Sequence, residues 1–397
     1  MKILTFTTLF PNAVQNHHGI FTETTLKHQL ATAGVSATVV APVPWFPSKS
    51  ARFGRYAAYA RTPHVEHRIG VNVHHPRYFL PPKVGMYLAP FLLAKAALPV
   101  MKKIADTDGF DVIDAHYFYP DGVAAILLGM YFKKPVVVSA LGTDINLIPK
   151  FRMARRMIKW AGERSAAMIT VCDALKREMV EMGMNGNKIF PLRNGVDLKL
   201  FYPVDKSAAR TALGIDKFTL LSVGHLDARK GHDRTIAALR HLPDVALIIV
   251  GGGADKAKLQ ALAMDAGVDA RVTFVAPVSQ PELRTYYGAC DALVLASSRE
   301  GWANVLLEAM ACGTPVVASN VWGTPEVVQS AAAGVLLAEN SPGGIADGVK
   351  RLRIQYPPRT ATRAYAEKFG WEATTAGQLS LFRQAIQQHP FPHPKLG

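Results

Sequence analysis

Ten short apolar runs, five in each half of the chain, constrain the fold more than any other feature of this sequence. KILTFTT, ATVVAP, DVIDAH, PVVVSA and AMITVC lie in the first half, and FTLLSVG, ALIIVGG, RVTFVA, ALVLAS and PVVAS in the second. They are near-continuous rather than alternating, the pattern of strands buried on both faces of a parallel sheet. Helical segments separate them, so the expected class is α/β, with two doubly wound, Rossmann-like units. No short repeat links the halves, which sets a solenoid aside. Sheets of this kind bind ligands beyond the carboxyl ends of their strands, and two of them face to face would form a cleft.

At 397 residues the chain exceeds one ordinary core and suggests two domains of roughly 200 residues. The boundary is expected between Asn194 and Gly214, where RNGVDLKLFYPVD is turn-rich, giving units over residues 1–200 and 201–370. A hydrophobic content of 49% argues against disorder. Cys172, Cys290 and Cys312 have no spacing suited to zinc or a disulfide framework, so they read as small buried hydrophobes in a reducing, cytoplasmic setting. MKILTFTTLF lacks the long apolar core of a signal peptide and reads as a first strand.

The net charge of +15 is uneven: residues 1–200 hold 25 Lys and Arg against 13 Asp and Glu, and the remainder 20 against 17. Two basic segments stand out, Val84–Lys103 and Lys150–Lys159. The first is apolar enough to raise a membrane span, but Lys95 lies inside it and Pro90 and Pro99 are expected to interrupt it. Two readings stay open: an amphipathic helix resting on anionic lipid, or a core-facing helix with a solvated basic face. A basic nucleic-acid-binding protein is a further class suggested by the charge, but the chain carries no recognised binding module, so no nucleic-acid partner is expected.

The segment SREGWANVLLEAMACGTPVVASN, Ser298–Asn320, carries the chemistry. Glu300 follows a buried strand, a short turn of Gly301, Trp302 and Ala303 comes next, and a helix begins near Asn304 with Glu308 one turn in. Two acids at this spacing suit a ligand with a sugar at one end and a ribose at the other. The N–H groups and dipole of the helix start would attract a diphosphate between them. The same acids also fit a capping residue and a solvated helix position.

This segment resembles the donor-binding motif of glycosyltransferase family 4, retaining enzymes of the GT-B fold, through the Glu pair, the Asn-Val-Xaa-Leu-Glu-Ala-Met-Ala core and the Gly-Thr-Pro-Val-Val-Ala tail. The resemblance implies that Glu300 contacts the transferred sugar and Glu308 the nucleotide ribose, with Asn304 and Val305 at the helix start. In SVGHLDARKGHD, Lys230 matches the family's Lys-Gly lysine, which would neutralise the diphosphate leaving group. The arginine usual after the first glycine is replaced by His225, and Arg229 stands near enough in sequence to compensate. Gly19, at the bend of PNAVQNHHGIFTE, matches a glycine-containing loop that lets the backbone approach a phosphate or acceptor, and equally reads as a turn glycine. His17 and His18 are assigned no metal.

His116, ending DVIDAH, matches a histidine beside the transferred sugar. Asp144, in SALGTDIN, looks like the acid of the family's Gly-Xaa-Asp loop, either binding acceptor hydroxyls or capping the next helix. The Phe-Xaa-Trp-Glu before Trp371 resembles the segment that crosses back to the first domain, so residues 371–397 are expected to pack there, with a flexible tail from Pro390. The function implied is a retaining, metal- and cofactor-independent hexosyltransferase. It would act on a nucleotide-diphosphate sugar and a saccharide or lipid-linked acceptor in cell-surface polysaccharide synthesis, in the cytoplasm and in peripheral contact with an anionic membrane. A sugar-nucleotide epimerase or phosphorylase on the same architecture is the alternative. No Walker loop or dinucleotide fingerprint is present; Gly251, Gly252 and Gly253 read as a strand-to-helix turn.

Overall fold

A computed structural model describes residues 1–80 and 85–389. Val84 and the tail from Pro390 lie outside the described residues. The chain divides into two compact units, Met1–Arg193 with the segment from Glu372 onward, and Asn194–Trp371.

The first unit contains β1 (Lys2–Phe6), β2 (Ser36–Val40), β3 (Val43–Pro44), β4 (Val65–Arg68), β5 (Val71–His74), β6 (Arg77–Tyr78), β7 (Val112–His116), β8 (Val136–Ala140), β9 (Ala167–Thr170) and β10 (Ile189–Pro191). Eight of them form one sheet in the order β10-β9-β8-β7-β1-β2-β5-β4, while β3 and β6 pair separately. All pairings in the large sheet are parallel except β4 against β5. The central strands are fully buried, as strands covered by helices on both faces must be.

The second unit contains β11 (Phe218–Val223), β12 (Val245–Val250), β13 (Val272–Val275), β14 (Ala292–Leu295), β15 (Val316–Ala318) and β16 (Gly334–Leu336), all parallel, in the order β13-β12-β11-β14-β15-β16. Relabelled within the unit this is 3-2-1-4-5-6, the Rossmann order, whose direction reverses between β11 and β14. Leu220, Leu247, Ile249, Val294 and Ile345 are among its fully buried core residues.

Two expectations are corrected. The first boundary falls at Arg193, before residue 200, because Asn194–Phe201 packs with the second unit: the Val196 N–H donates to the Phe369 carbonyl at 2.9 Å and Phe201 is buried. The helix Gly85–Thr107 also runs unbroken through Pro90 and Pro99. Each internal proline costs a helix about 3 kcal/mol, but Ala89, Pro90, Leu93, Ala97, Met101 and Ile104 form a buried stripe that holds this one in place. Among the described residues no helix is long and apolar enough to cross a membrane.

The last helix, Glu372–Gln388, belongs to the first unit. Leu379 and Phe382 pack with Ile3, Val112, Val137 and Ile169, and the Gln378 amide oxygen accepts from Gln29 at 2.9 Å.

Candidate functional site

In the second unit the loops leaving β11 and β14 meet where strand order reverses. Asp227 accepts the backbone N–H groups of Arg229 and Lys230 at 3.1 and 3.2 Å, forming a tight turn. Gly231 then takes φ of 71°, and a Cβ there would lie 2.1 Å from the Ala296 carbonyl oxygen. Only glycine lets this turn lie against the end of β14. The consequence is a close ion pair: Lys230 Nζ donates to Glu300 Oε1 at 2.7 Å, and the same oxygen accepts from Ser297 Oγ at 2.7 Å. Arg229 stands 3.6 Å from Glu300 and 3.6 Å from Asp227. One nearly buried carboxylate thus sits against two cations, an arrangement able to hold polar sugar hydroxyls beside a phosphate.

His225 is exposed, and it is its carbonyl that shapes the loop. Buried His232 contacts this carbonyl through Nε2 at 3.1 Å and Ser222 Oγ through Nδ1 at 2.9 Å. Burial lowers the His232 pKa, favouring the neutral ring, which donates to the carbonyl and accepts from the hydroxyl.

The helix Asn304–Ala311 starts after Gly301-Trp302-Ala303, and no side chain caps it. Its first N–H groups, at Asn304 and Val305, lack intrahelical acceptors by geometry and suit an anion. Asn304 Oδ1 lies 3.5 Å from Asn194 Nδ2. Glu308 is half-buried and is not a cap: it accepts from the Tyr287 hydroxyl at 2.8 Å, and desolvation of its carboxyl pushes its pKa up to about 7. Tyr287 is itself raised by burial and by the adjacent carboxylate.

The first unit has a comparable arrangement between β1 and β7. Asp121 is fully buried and accepts from the Thr8 N–H at 2.6 Å, the Thr8 hydroxyl at 2.9 Å and the Thr7 hydroxyl at 3.3 Å, joining the loops that follow the two strands. Asp144, also fully buried, accepts from the Phe118 N–H at 2.8 Å and the Gly142 N–H at 2.7 Å. Burial raises their pKa values to about 7 and about 6. Asp144 therefore binds loop backbone, and the cap position of its short helix is Gly142. His116 is buried, with Nε2 2.9 Å from Asp114 Oδ2. Gly19 takes φ of 68° at the start of Ile20–Leu30, with a virtual Cβ 2.3 Å from the Leu9 carbonyl carbon, so its close backbone neighbour is the loop after β1.

Arg229, Lys230 and Glu300 thus meet in the loops that follow β11 and β14, with Asn304 and Val305 opening the next helix and Glu308 one turn into it, while Gly19, His116 and Asp144 lie at or after strand ends of the first unit. Ser297, Tyr287, His232, Asp114 and Asp121 were not singled out from sequence. Asp114 alone left a signal, an acid inside an otherwise apolar strand two positions before His116 and hence on the same face.

Comparison with known proteins bears on this arrangement. A family model described as "Glycosyl transferases group 1" matches residues 205–369, and one described as "Glycosyltransferase Family 4" matches residues 24–200. D-inositol 3-phosphate glycosyltransferase of Mycobacterium tuberculosis is 30% identical, over 79% of this chain and 68% of the relative. Sucrose-phosphate synthase from Thermosynechococcus elongatus superposes with a TM-score of 0.81 at 22% identity, covering 97% of this chain and 99% of that one. Anabaena HepE in complex with UDP gives 0.73 at 20% identity, covering 97% and 100%.

Proposed function

Because the chain belongs to glycosyltransferase family 4 and is a glycosyltransferase of the GT-B type, we propose that it is a retaining enzyme. It transfers a hexose from a nucleotide-diphosphate sugar to a hydroxyl of a saccharide or lipid-linked acceptor in cell-surface polysaccharide synthesis. The observation that carries this reading is the Lys230–Glu300 contact at 2.7 Å beside an uncapped helix start. Glu300 orients the sugar hydroxyls, the helix start and Lys230 take the diphosphate, and Glu308 accepts the ribose hydroxyls. The acceptor oxygen bonds to the anomeric carbon on the face from which the diphosphate departs. As the bond from that carbon to the diphosphate oxygen breaks, the acceptor's proton passes to the leaving phosphate. Lys230 and the helix dipole stabilise the charge that develops there. No metal or cofactor takes part in this scheme, so chelator leaves turnover unchanged.

His116, held by Asp114, stands beside the sugar, and Gly19 lets the loop after β1 approach the substrate. Asp144 acts on the acceptor through the loop it organises. The enzyme works in the cytoplasm, with the first unit in peripheral contact with an anionic membrane. The mycobacterial relative, named for inositol 3-phosphate, favours a phosphorylated cyclitol as a second candidate acceptor.

A thermal-shift panel of uridine, guanosine and adenosine diphosphates identifies the donor nucleoside, since a ligand bound only by the folded state raises its stability; the UDP complex of the Anabaena neighbour makes uridine the first choice. NMR of the product then reads the anomeric configuration. An inverted anomer refutes retention, and a product with no new glycosidic bond refutes transfer.

A further inference from the structure

Three helices of the first unit, Gly85–Thr107, Val123–Phe132 and Arg152–Arg164, contribute to a groove that begins at Val123, two residues beyond Asp121. Its volume is about 510 Å³, and Phe91, Val123, Leu127, Met153, Met157 and Trp160 line it together with Arg156. On the third helix Ala154, Ile158, Ala161 and Gly162 face the interior, so Met153, Met157 and Trp160 form a second apolar stripe that the unit's own core does not use. Phe91 and Met153 are 50% and 48% exposed, and Leu88 and Phe151, close by in sequence, 44% and 47%. Surface apolar groups gathered in this way mark an interaction site.

The charge around the groove selects the partner. Residues 150–164 carry Lys150, Arg152, Arg155, Arg156, Lys159 and Arg164 against the single acid Glu163. Arg152, Arg155 and Arg156 are exposed. A second copy of the chain would set this cationic face against itself, which like-charge repulsion opposes. An apolar slot bordered by arginines matches a molecule with a hydrocarbon tail and an anionic head.

We propose that this groove takes one acyl tail of an anionic phospholipid while Arg152, Arg155 and Arg156 meet the phosphates of the surrounding headgroups. This deepens the reading of a lipid-linked acceptor at a membrane and rests on it. It names the surface by which the first unit is held there.

The test uses the full chain and vesicles of phosphatidylcholine, alone or mixed with phosphatidylglycerol, with brominated acyl chains in a parallel set. Trp160 lines the groove, so a tail entering it quenches that indole. The expected result is sedimentation with the phosphatidylglycerol vesicles and bromine quenching that Trp160→Phe removes without changing binding. Replacing Arg152, Arg155 and Arg156 together by Gln lowers partitioning on the order of 100-fold. Met157→Glu, with an unchanged circular dichroism spectrum, loses the quenching. Binding without Trp160-dependent quenching overturns the proposal, as does equal binding to neutral vesicles. Nucleotide thermal shifts measured without lipid report on the transferase reading separately: their loss would count against the donor site and leave the groove result standing.

Discussion

Nucleotide affinity is expected to rise with pH through neutrality, and Glu308 is the reason. Desolvation raises its carboxyl to about 7 in the free protein, and the hydrogen bond from the Tyr287 hydroxyl at 2.8 Å opposes the shift. A ribose presents two hydroxyl donors, which need the ionised carboxylate as acceptor. With a pKa of about 7, roughly a tenth of the sites are ionised at pH 6 and nine tenths at pH 8, so the competent fraction changes about tenfold, or about 1.4 kcal/mol. Titration calorimetry of the preferred nucleoside diphosphate at pH 6, 7 and 8, at fixed ionic strength, measures the slope. The nucleotide's own phosphate titrates in the same range, so the quantity that matters is the difference from Glu308→Gln, which cannot ionise. The variant binds more weakly at pH 8 and loses this part of the slope. Removing the phenol with Tyr287→Phe raises the carboxyl further and shifts the midpoint upward. Equal slopes in wild type and Glu308→Gln would refute the assignment of Glu308 to the ribose.

Three further outcomes are expected. Lys230→Ala removes the cation 2.7 Å from Glu300 and should lower kcat by about 10²–10³-fold, with a smaller change in donor KM; unchanged steady-state kinetics would contradict a role at the leaving group. Gly231→Ala places a Cβ 2.1 Å from the Ala296 carbonyl at φ of 71° and should cost about 1–3 kcal/mol, read as a lower melting temperature of the second unit. Asp121, raised to about 7 by burial, binds a proton more tightly folded than unfolded. The stability this contributes is full below the ordinary carboxyl range near pH 3.8 and is lost as pH rises through about 7. Urea unfolding between pH 5 and 8 should show the decline, and Asp121→Asn should flatten it.

The fold was legible where burial alone determined the residue pattern. The ten apolar runs all became strands, because a parallel strand covered on both faces has no place for polar alternation. VEHR and VNVH, β4 and β5, are short and alternate polar with apolar residues, β4 at the sheet edge and β5 beside it with Val71 and Val73 buried, so they carry no continuous apolar run. The helix through Pro90 and Pro99 is not legible in the sequence because local propensity opposes it, while the buried stripe that outweighs that cost is set by tertiary packing.

The candidate site divides along the same line. Glu300, Glu308 and Lys230 could be named because each stands at a strand end or helix start within a short motif. The partners that set their chemistry come from farther away: Tyr287 lies 21 residues before Glu308, and Asp121 reaches Thr8 across 113. Motif spacing therefore nominates side chains for a substrate contact, whereas the protonation state of a group such as Glu308 depends on the long-range packing that removes water. Glu300 and Glu308 illustrate the separation within eight residues of chain. Two cations and a serine hydroxyl surround Glu300, while Glu308 accepts from the Tyr287 phenol and has its pKa pushed up to about 7. Desolvation of Glu308 is thus what ties the proposed ribose contact to pH.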